Sequence, residues 1–125
     1  MATLLVIEDE VPLRANLVRI LTAEGYKVLT AADGVEGIRQ ARDGRPDLVI
    51  CDILMPKVDG YGVLASLRSQ PETAAVPFIF LTASAEKADL ARGLSSGAND
   101  YVTKPFKLAD LLAAIRRRLP PVGGK

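Results

Sequence analysis

Short apolar runs alternate with amphipathic stretches five times along this chain. Leu4 to Ile7 is continuously apolar, as a strand covered on both faces must be. Pro12 then suits a first helical turn, and Leu13, Leu17, Ile20 and Leu21 recur on one helical face before Gly25 stops the pattern. Tyr26 to Thr30 reads as a second strand. Asp33 followed by Glu36 has the spacing of a capping box; behind it Ile38 and Ala41 point inward, and Gly44 ends the segment. Leu48 to Cys51 is a third apolar run. Asp59-Gly60 opens a helix carrying Val63, Leu64 and Leu67, closed by Gln70-Pro71-Glu72. Val76 to Leu81 predicts a fourth strand, a helix follows from about Ser84 to Ser95 with Leu90 and Leu94 inward, and Tyr101 to Thr103 predicts a fifth strand. Phe106, Leu108, Leu111, Leu112 and Ile115 mark the inward side of a final helix. Such alternation predicts an α/β fold with a doubly wound parallel sheet and right-handed crossovers. Strand order is not encoded in periodicity.

Four of the runs stop at residues able to handle phosphate or metal: Glu8 and Asp9 after the first, Asp52 after the third, Thr82 after the fourth and Lys104 after the fifth. In a parallel sheet these groups share one edge, and ligands of open α/β sheets bind in the crevice outside the carboxyl ends of the strands. The edge therefore predicts a site of three carboxylates, a hydroxyl and an ammonium.

Composition narrows what that site can do. With 16 basic and 15 acidic residues the net charge is +1, far from the basic footprint of a nucleic-acid binder, so no direct nucleic-acid contact is expected. The single Cys51 excludes an internal disulfide, and with no His a Cys/His zinc site is excluded too; Cys51 reads as a small core residue. No apolar run reaches membrane-spanning length and no leader pattern opens the chain, so a cytoplasmic protein is expected. At 125 residues and 49% hydrophobic content the chain suits one domain with a proper core. That domain is expected over residues 1–119, with 120–125, Pro120-Pro121 and Gly123-Gly124 included, as a tail or the start of a linker.

Crowded carboxylates repel one another, so some are protonated or a cation sits among them. Oxygen donors without His or Cys favour Mg²⁺, which takes one or two protein carboxylates plus phosphate oxygens. A carboxylate beside such an ion can attack a phosphoryl group and form an acyl phosphate, with the metal and Lys104 stabilising the transferred charge.

The segments Ile7-Glu8-Asp9, Asp52-Ile53-Leu54-Met55-Pro56 with Asp59-Gly60, Leu81-Thr82-Ala83 and Lys104-Pro105-Phe106 resemble the receiver domain of two-component response regulators over essentially the whole chain. Each segment alone is a weak signal; all of them in this order and spacing are highly specific. The resemblance implies a flavodoxin-like fold with strand order 2-1-3-4-5 and Asp52 as the phosphorylated residue. It implies that Asp9, Asp52 and the Leu54 carbonyl hold Mg²⁺, with Glu8 helping through water. It implies that Thr82 and Lys104 bind phosphoryl oxygens, that Ala83 leaves room for them, that Tyr101 is the switch aromatic beside Thr82, and that Lys104-Pro105 is a cis bond aiming the lysine. Glu8 stands where many members carry a second Asp. The partners implied are a sensor histidine kinase or histidine phosphotransfer protein, a downstream target or effector domain, and a second copy of the domain after phosphorylation. The output face expected is that of the fourth helix, fifth strand and fifth helix. A receiver of this kind is a phospho-acceptor that assists its own phosphorylation and dephosphorylation rather than an enzyme.

Blander readings stand beside these. Asp59 is better explained as a helix cap; Thr82 could cap the next helix, Lys104 could be a surface lysine, and Tyr101 could be a half-buried strand residue. Arg116-Arg117-Arg118 suits a helix C-terminus better than a phosphate backbone. A flavin or nucleotide domain would need a phosphate-cradling first loop, whereas this chain has acidic Glu8-Asp9-Glu10. An aspartyl phosphatase would want a second acid where Leu54 stands. The remaining alternative is an adaptor or phosphate-sink receiver whose partners do not respond to phosphorylation.

Overall fold

The computed structural model describes residues 1–83, 95 and 97–119. In chain order these form β1 (Thr3–Ile7), α1 (Val11–Ala23), β2 (Lys27–Ala31), α2 (Gly34–Gly44), β3 (Leu48–Asp52), α3 (Gly60–Arg68), β4 (Phe78–Thr82), β5 (Asp100–Thr103) and a last helix, α4 (Leu108–Arg118). The helix expected from Ser84 to Ser95, with Leu90 and Leu94, and the tail after Leu119 lie outside the described residues.

The five strands are all parallel and ordered β2-β1-β3-β4-β5, the flavodoxin-like order. Alternate strand residues feed two apolar layers. On one face Leu4, Val6, Leu48, Ile50, Ile79 and Leu81 meet Leu17 and Leu21 of α1 and Leu111 and Ile115 of α4. On the other, Leu5, Ile7, Val49, Cys51, Phe78 and Phe80 meet Ala41 of α2 and Val63, Leu64 and Leu67 of α3. Burial on both sides explains why β1, β3 and β4 read as unbroken apolar runs.

Several boundaries move by one or two residues for identifiable reasons. Helix α1 ends in a Schellman motif: Gly25 has φ 94°, its N–H donates to the Thr22 carbonyl at 3.0 Å, and the Tyr26 N–H donates to the Leu21 carbonyl at 3.2 Å. Tyr26 is thereby spent on the helix end, and β2 starts at Lys27 rather than Tyr26. Pro77 has no N–H for a ladder and Arg68 takes the Val76 carbonyl at 2.7 Å, so β4 starts at Phe78 rather than Val76. Helix α2 ends at Gly44 as expected, although the left-handed residue that follows is Arg45, φ 45°, and not the glycine. A Cβ at Gly44 would lie 2.6 Å from Leu29 Cδ1, the far end of a rotatable side chain. Phe106 precedes α4, and Leu108, expected inward, is 40% exposed.

The caps read from sequence form. Asp33 accepts from the Glu36 N–H at 2.9 Å, although Glu36 reaches back to the Ala32 N–H, one residue before the cap, at 3.2 Å. Asp59 accepts from the Gly62 N–H at 2.9 Å. Replacing Asp59 with Ala should cost about 1 kcal/mol of unfolding free energy, measurable as a lowered urea midpoint with unchanged slope. The arginines ending α4 are paired: Arg117 and Arg118 with Asp100, and Arg116 with Glu24.

Candidate functional site

Strand register brings the chemistry together. Ile7 pairs with Cys51, Asp52 with Leu81, and Thr82 with Thr103, so Glu8, Asp52, Thr82 and Lys104 all emerge within a step or two of one another at the same sheet edge. Glu8 is 1% exposed, Thr82 5% and Asp52 7%. Three independent chain segments therefore bury polar groups where an apolar core would ordinarily end.

The Lys104 ammonium lies between the acids, 3.2 Å from Glu8 Oε1 and 3.3 Å from Asp52 Oδ2. Glu8 Oε2 accepts from the Glu10 N–H at 3.1 Å, so both of its oxygens are engaged. Lys104 is anchored in turn by its own N–H, which donates to the Thr82 carbonyl at 2.7 Å, and the peptide bond to Pro105 is cis. Glu8, Asp9 and Asp52 each place a carboxylate oxygen within 4.8 Å of the other two. Such an all-oxygen cluster can hold a hard divalent cation.

Comparison with known proteins agrees with this layout. The family model of the response regulator receiver domain matches residues 4–116. The chain belongs to the response regulator receiver family.

Among its relatives, the probable transcriptional regulator ycf27 of Cyanophora paradoxa is 45% identical over 116 residues, 93% of this chain and 47% of that protein. The DNA-binding dual master transcriptional regulator RpaA of Synechocystis sp. is 42% identical over 120 residues, 95% of this chain and 49% of that protein. The receiver domain thus spans about half the length of the curated relatives it matches. Of solved structures, chemotaxis protein CheY4 of Vibrio cholerae superposes with TM-score 0.90 at 32% identity, covering 95% of this chain and 99% of that one. The receiver domain of sensor histidine kinase PA1611 from Pseudomonas aeruginosa, solved with a magnesium ion coordinated in the active site cleft, superposes with TM-score 0.84 at 36% identity, covering 94% of this chain and 96% of that one.

The remaining sequence-derived residues of this receiver domain fall around the same edge. Leu54, two residues past β3, is 77% exposed; Ala83 is exposed and Pro105 follows Lys104 at the surface. Tyr101 is half-buried in β5 and packs against the layer that holds Phe78 and Phe80. Asp59 is spent on its cap, and Gly60 is buried because a Cβ there would meet the Asp52 carbonyl oxygen at 2.5 Å. Cys51 is buried, and burial pushes its thiol far above the ordinary range. Among the described residues no helix is long and apolar enough to cross a membrane.

One contact escaped the sequence reading. Arg14, on the first turns of α1, donates from Nη1 to the Glu8 carbonyl at 2.8 Å and ties the loop after β1 to its helix. A lone arginine six residues past Glu8 carries no pattern that singles it out.

Burial raises the Glu8 carboxyl from 4.5 to about 7; the Glu10 N–H and Lys104 oppose the shift, and the Asp52 charge reinforces it. For Lys104, burial works to lower the ammonium, but Asp52 and Glu8 outweigh it and the net shift is upward. Because the folded state holds the Glu8 proton more tightly than the unfolded chain, the associated stability is complete below about pH 4.5 and is lost as pH rises through about 7. In metal-free buffer, unfolding free energy should fall across that window by no more than roughly 3 kcal/mol, and Glu8→Gln should flatten the slope. A slope unchanged in Glu8→Gln would place the titration elsewhere.

Proposed function

We infer that this receiver domain is a phospho-acceptor switch that takes a phosphoryl group on Asp52 in a Mg²⁺-dependent reaction. The observation that carries the reading is the Lys104 ammonium set 3.2 Å from Glu8 and 3.3 Å from Asp52 at the sheet edge. A cation placed there faces the incoming phosphoryl oxygens as well as the nucleophile.

Asp9, Asp52 and the Leu54 carbonyl would hold Mg²⁺, with Glu8 acting through water. When bound, the ion neutralises charge on the transferred oxygens. The magnesium in the Pseudomonas neighbour supports that choice of ion. An Asp52 carboxylate oxygen attacks phosphorus, the bond from phosphorus to the donor's imidazole nitrogen or acyl oxygen breaks, and the leaving group keeps the electron pair. Lys104 and the Thr82 hydroxyl donate to the transferred oxygens, and the small Ala83 leaves them space. The donor is a sensor histidine kinase or a histidine phosphotransfer protein of the cytoplasm. The added charge of about −1.5 to −2 draws Thr82 and Lys104 inward and opens space for the Tyr101 ring. The face carrying β5 and α4 then binds its target, an effector domain or a second copy more tightly, by a coupling of roughly 1 to 3 kcal/mol.

The test is intact-mass analysis after incubation with acetyl phosphate. One alkali-labile adduct should form with Mg²⁺ and none with EDTA. Asp9→Ala should weaken Mg²⁺ binding about tenfold or more and slow labelling accordingly. Equal labelling with and without the metal would sink the reading.

A further inference from the structure

Helix α2 begins against the loop that follows Asp52, and the contact leaves no room for a side chain. A Cβ on Gly34 would lie 2.3 Å from the Val58 carbonyl oxygen and 2.8 Å from the Val58 Cβ. At those distances backbone must give, because no rotatable side chain is there to move aside. The loop is also closed at its base, where the Gly60 N–H donates to the Ile53 carbonyl at 2.7 Å. Near its tip Lys57 adopts φ 70°, with its ammonium 3.6 Å from Asp33 Oδ2. That lysine side chain is 68% exposed, too open to solvent for the ion pair to hold the loop by itself. What seats the loop on α2 is the bare backbone of Gly34 under Val58.

We propose that Gly34 is a positioning residue for the metal site. By letting α2 abut Val58 it sets the height of residues 53–59 over the sheet edge, and with it the Leu54 carbonyl. The exposed Leu54 side chain supplies no anchor of its own; its neighbours Ile53 and Met55 pack on the core layer, the Ile53 carbonyl is tied to the Gly60 N–H, and the seat at Val58 fixes the far side of the loop. The inference rests on the metal assignment made above. Mg²⁺ demands near-ideal octahedral geometry at about 2.0–2.1 Å, so even a small lift of the loop registers as lost affinity.

Gly34→Ala tests the proposal, with Gly44→Ala as its matched control. The control makes the same change at the far end of the same helix, where a Cβ would meet side-chain ends alone, the rotatable Leu29 Cδ1 at 2.6 Å and Gln40 Oε1 at 3.9 Å. In metal-free NMR spectra, amides of Ile53 to Asp59 should shift in Gly34→Ala and stay in place in Gly44→Ala. The Mg²⁺ dissociation constant should rise about tenfold in Gly34→Ala while thermal midpoints of the two variants remain close. Wild-type loop shifts, or wild-type Mg²⁺ affinity, in folded Gly34→Ala overturns the proposal. Shifted amides in a domain whose unmodified form binds no Mg²⁺ would uphold the seat and sink the metal assignment instead. Should Gly34→Ala fail to fold, Val58→Gly loosens the same seat from the loop side, and unchanged Mg²⁺ affinity there overturns the proposal equally.

Discussion

Asp52→Asn should abolish the phosphoryl adduct that the unmodified domain acquires from acetyl phosphate and Mg²⁺, while leaving the fold intact. The amide keeps the size and most of the hydrogen-bonding capacity of the carboxylate but removes the nucleophilic charge. It also removes one of two negative charges within 3.3 Å of the Lys104 ammonium, so Lys104 can settle wholly on Glu8. Stability should therefore hold or rise modestly in the metal-free state, because repulsion between Glu8 and residue 52 disappears. Intact mass reads the adduct and urea unfolding reads the fold. An adduct of undiminished yield in Asp52→Asn would move the acceptor to another side chain.

Phe80→Ala should have the largest effect on stability, a loss of about 3–5 kcal/mol from a domain expected to hold roughly 5–15 in total. Phe80 is 1% exposed at the centre of β4, with its ring 5.1 Å from Phe78 and 5.2 Å from Tyr61, both edge-on. Its Cε1 also lies 3.1 Å from where a Gly60 Cβ would be, so the ring forms the floor under the first turn of α3. A cavity there removes dispersion contacts on three sides, and neighbours held by strands and a capped helix cannot collapse into it. Phe80→Leu, which refills most of the volume, should cost less than half as much. A Phe80→Ala loss below about 1 kcal/mol would mean that the layer between sheet and α3 is far looser than its burial implies.

Much of the fold was legible because its signals are local. Apolar runs of strand length, periodic helix faces, Asp33 and Asp59 as caps and Gly25 as a left-handed stop each depend on residues within one or two turns, and among the described residues each formed where expected to within two residues. The errors arose where a distant partner claimed a local group. Arg68, eight residues upstream, takes the Val76 carbonyl, so β4 starts later than its apolar run. Strand order came with the family resemblance, since hydrophobic period is blind to which strands are neighbours.

The candidate site divides in the same way. Sequence alone determined which side chains terminate the strands, because a polar residue closing an apolar run can be seen without coordinates; Glu8, Asp9, Asp52, Thr82 and Lys104 were all found so. Tertiary structure decided what those side chains do to one another. Only sheet register puts residues 96 positions apart 3.2 Å from each other, and only burial raises the Glu8 carboxyl to about 7. The hold of Arg14 on the Glu8 carbonyl and the seat of Val58 on Gly34 are likewise invisible in the chain. Charge coupling and steric fit depend on separations of a few ångströms between segments far apart in sequence, and those separations exist only after the sheet has assembled.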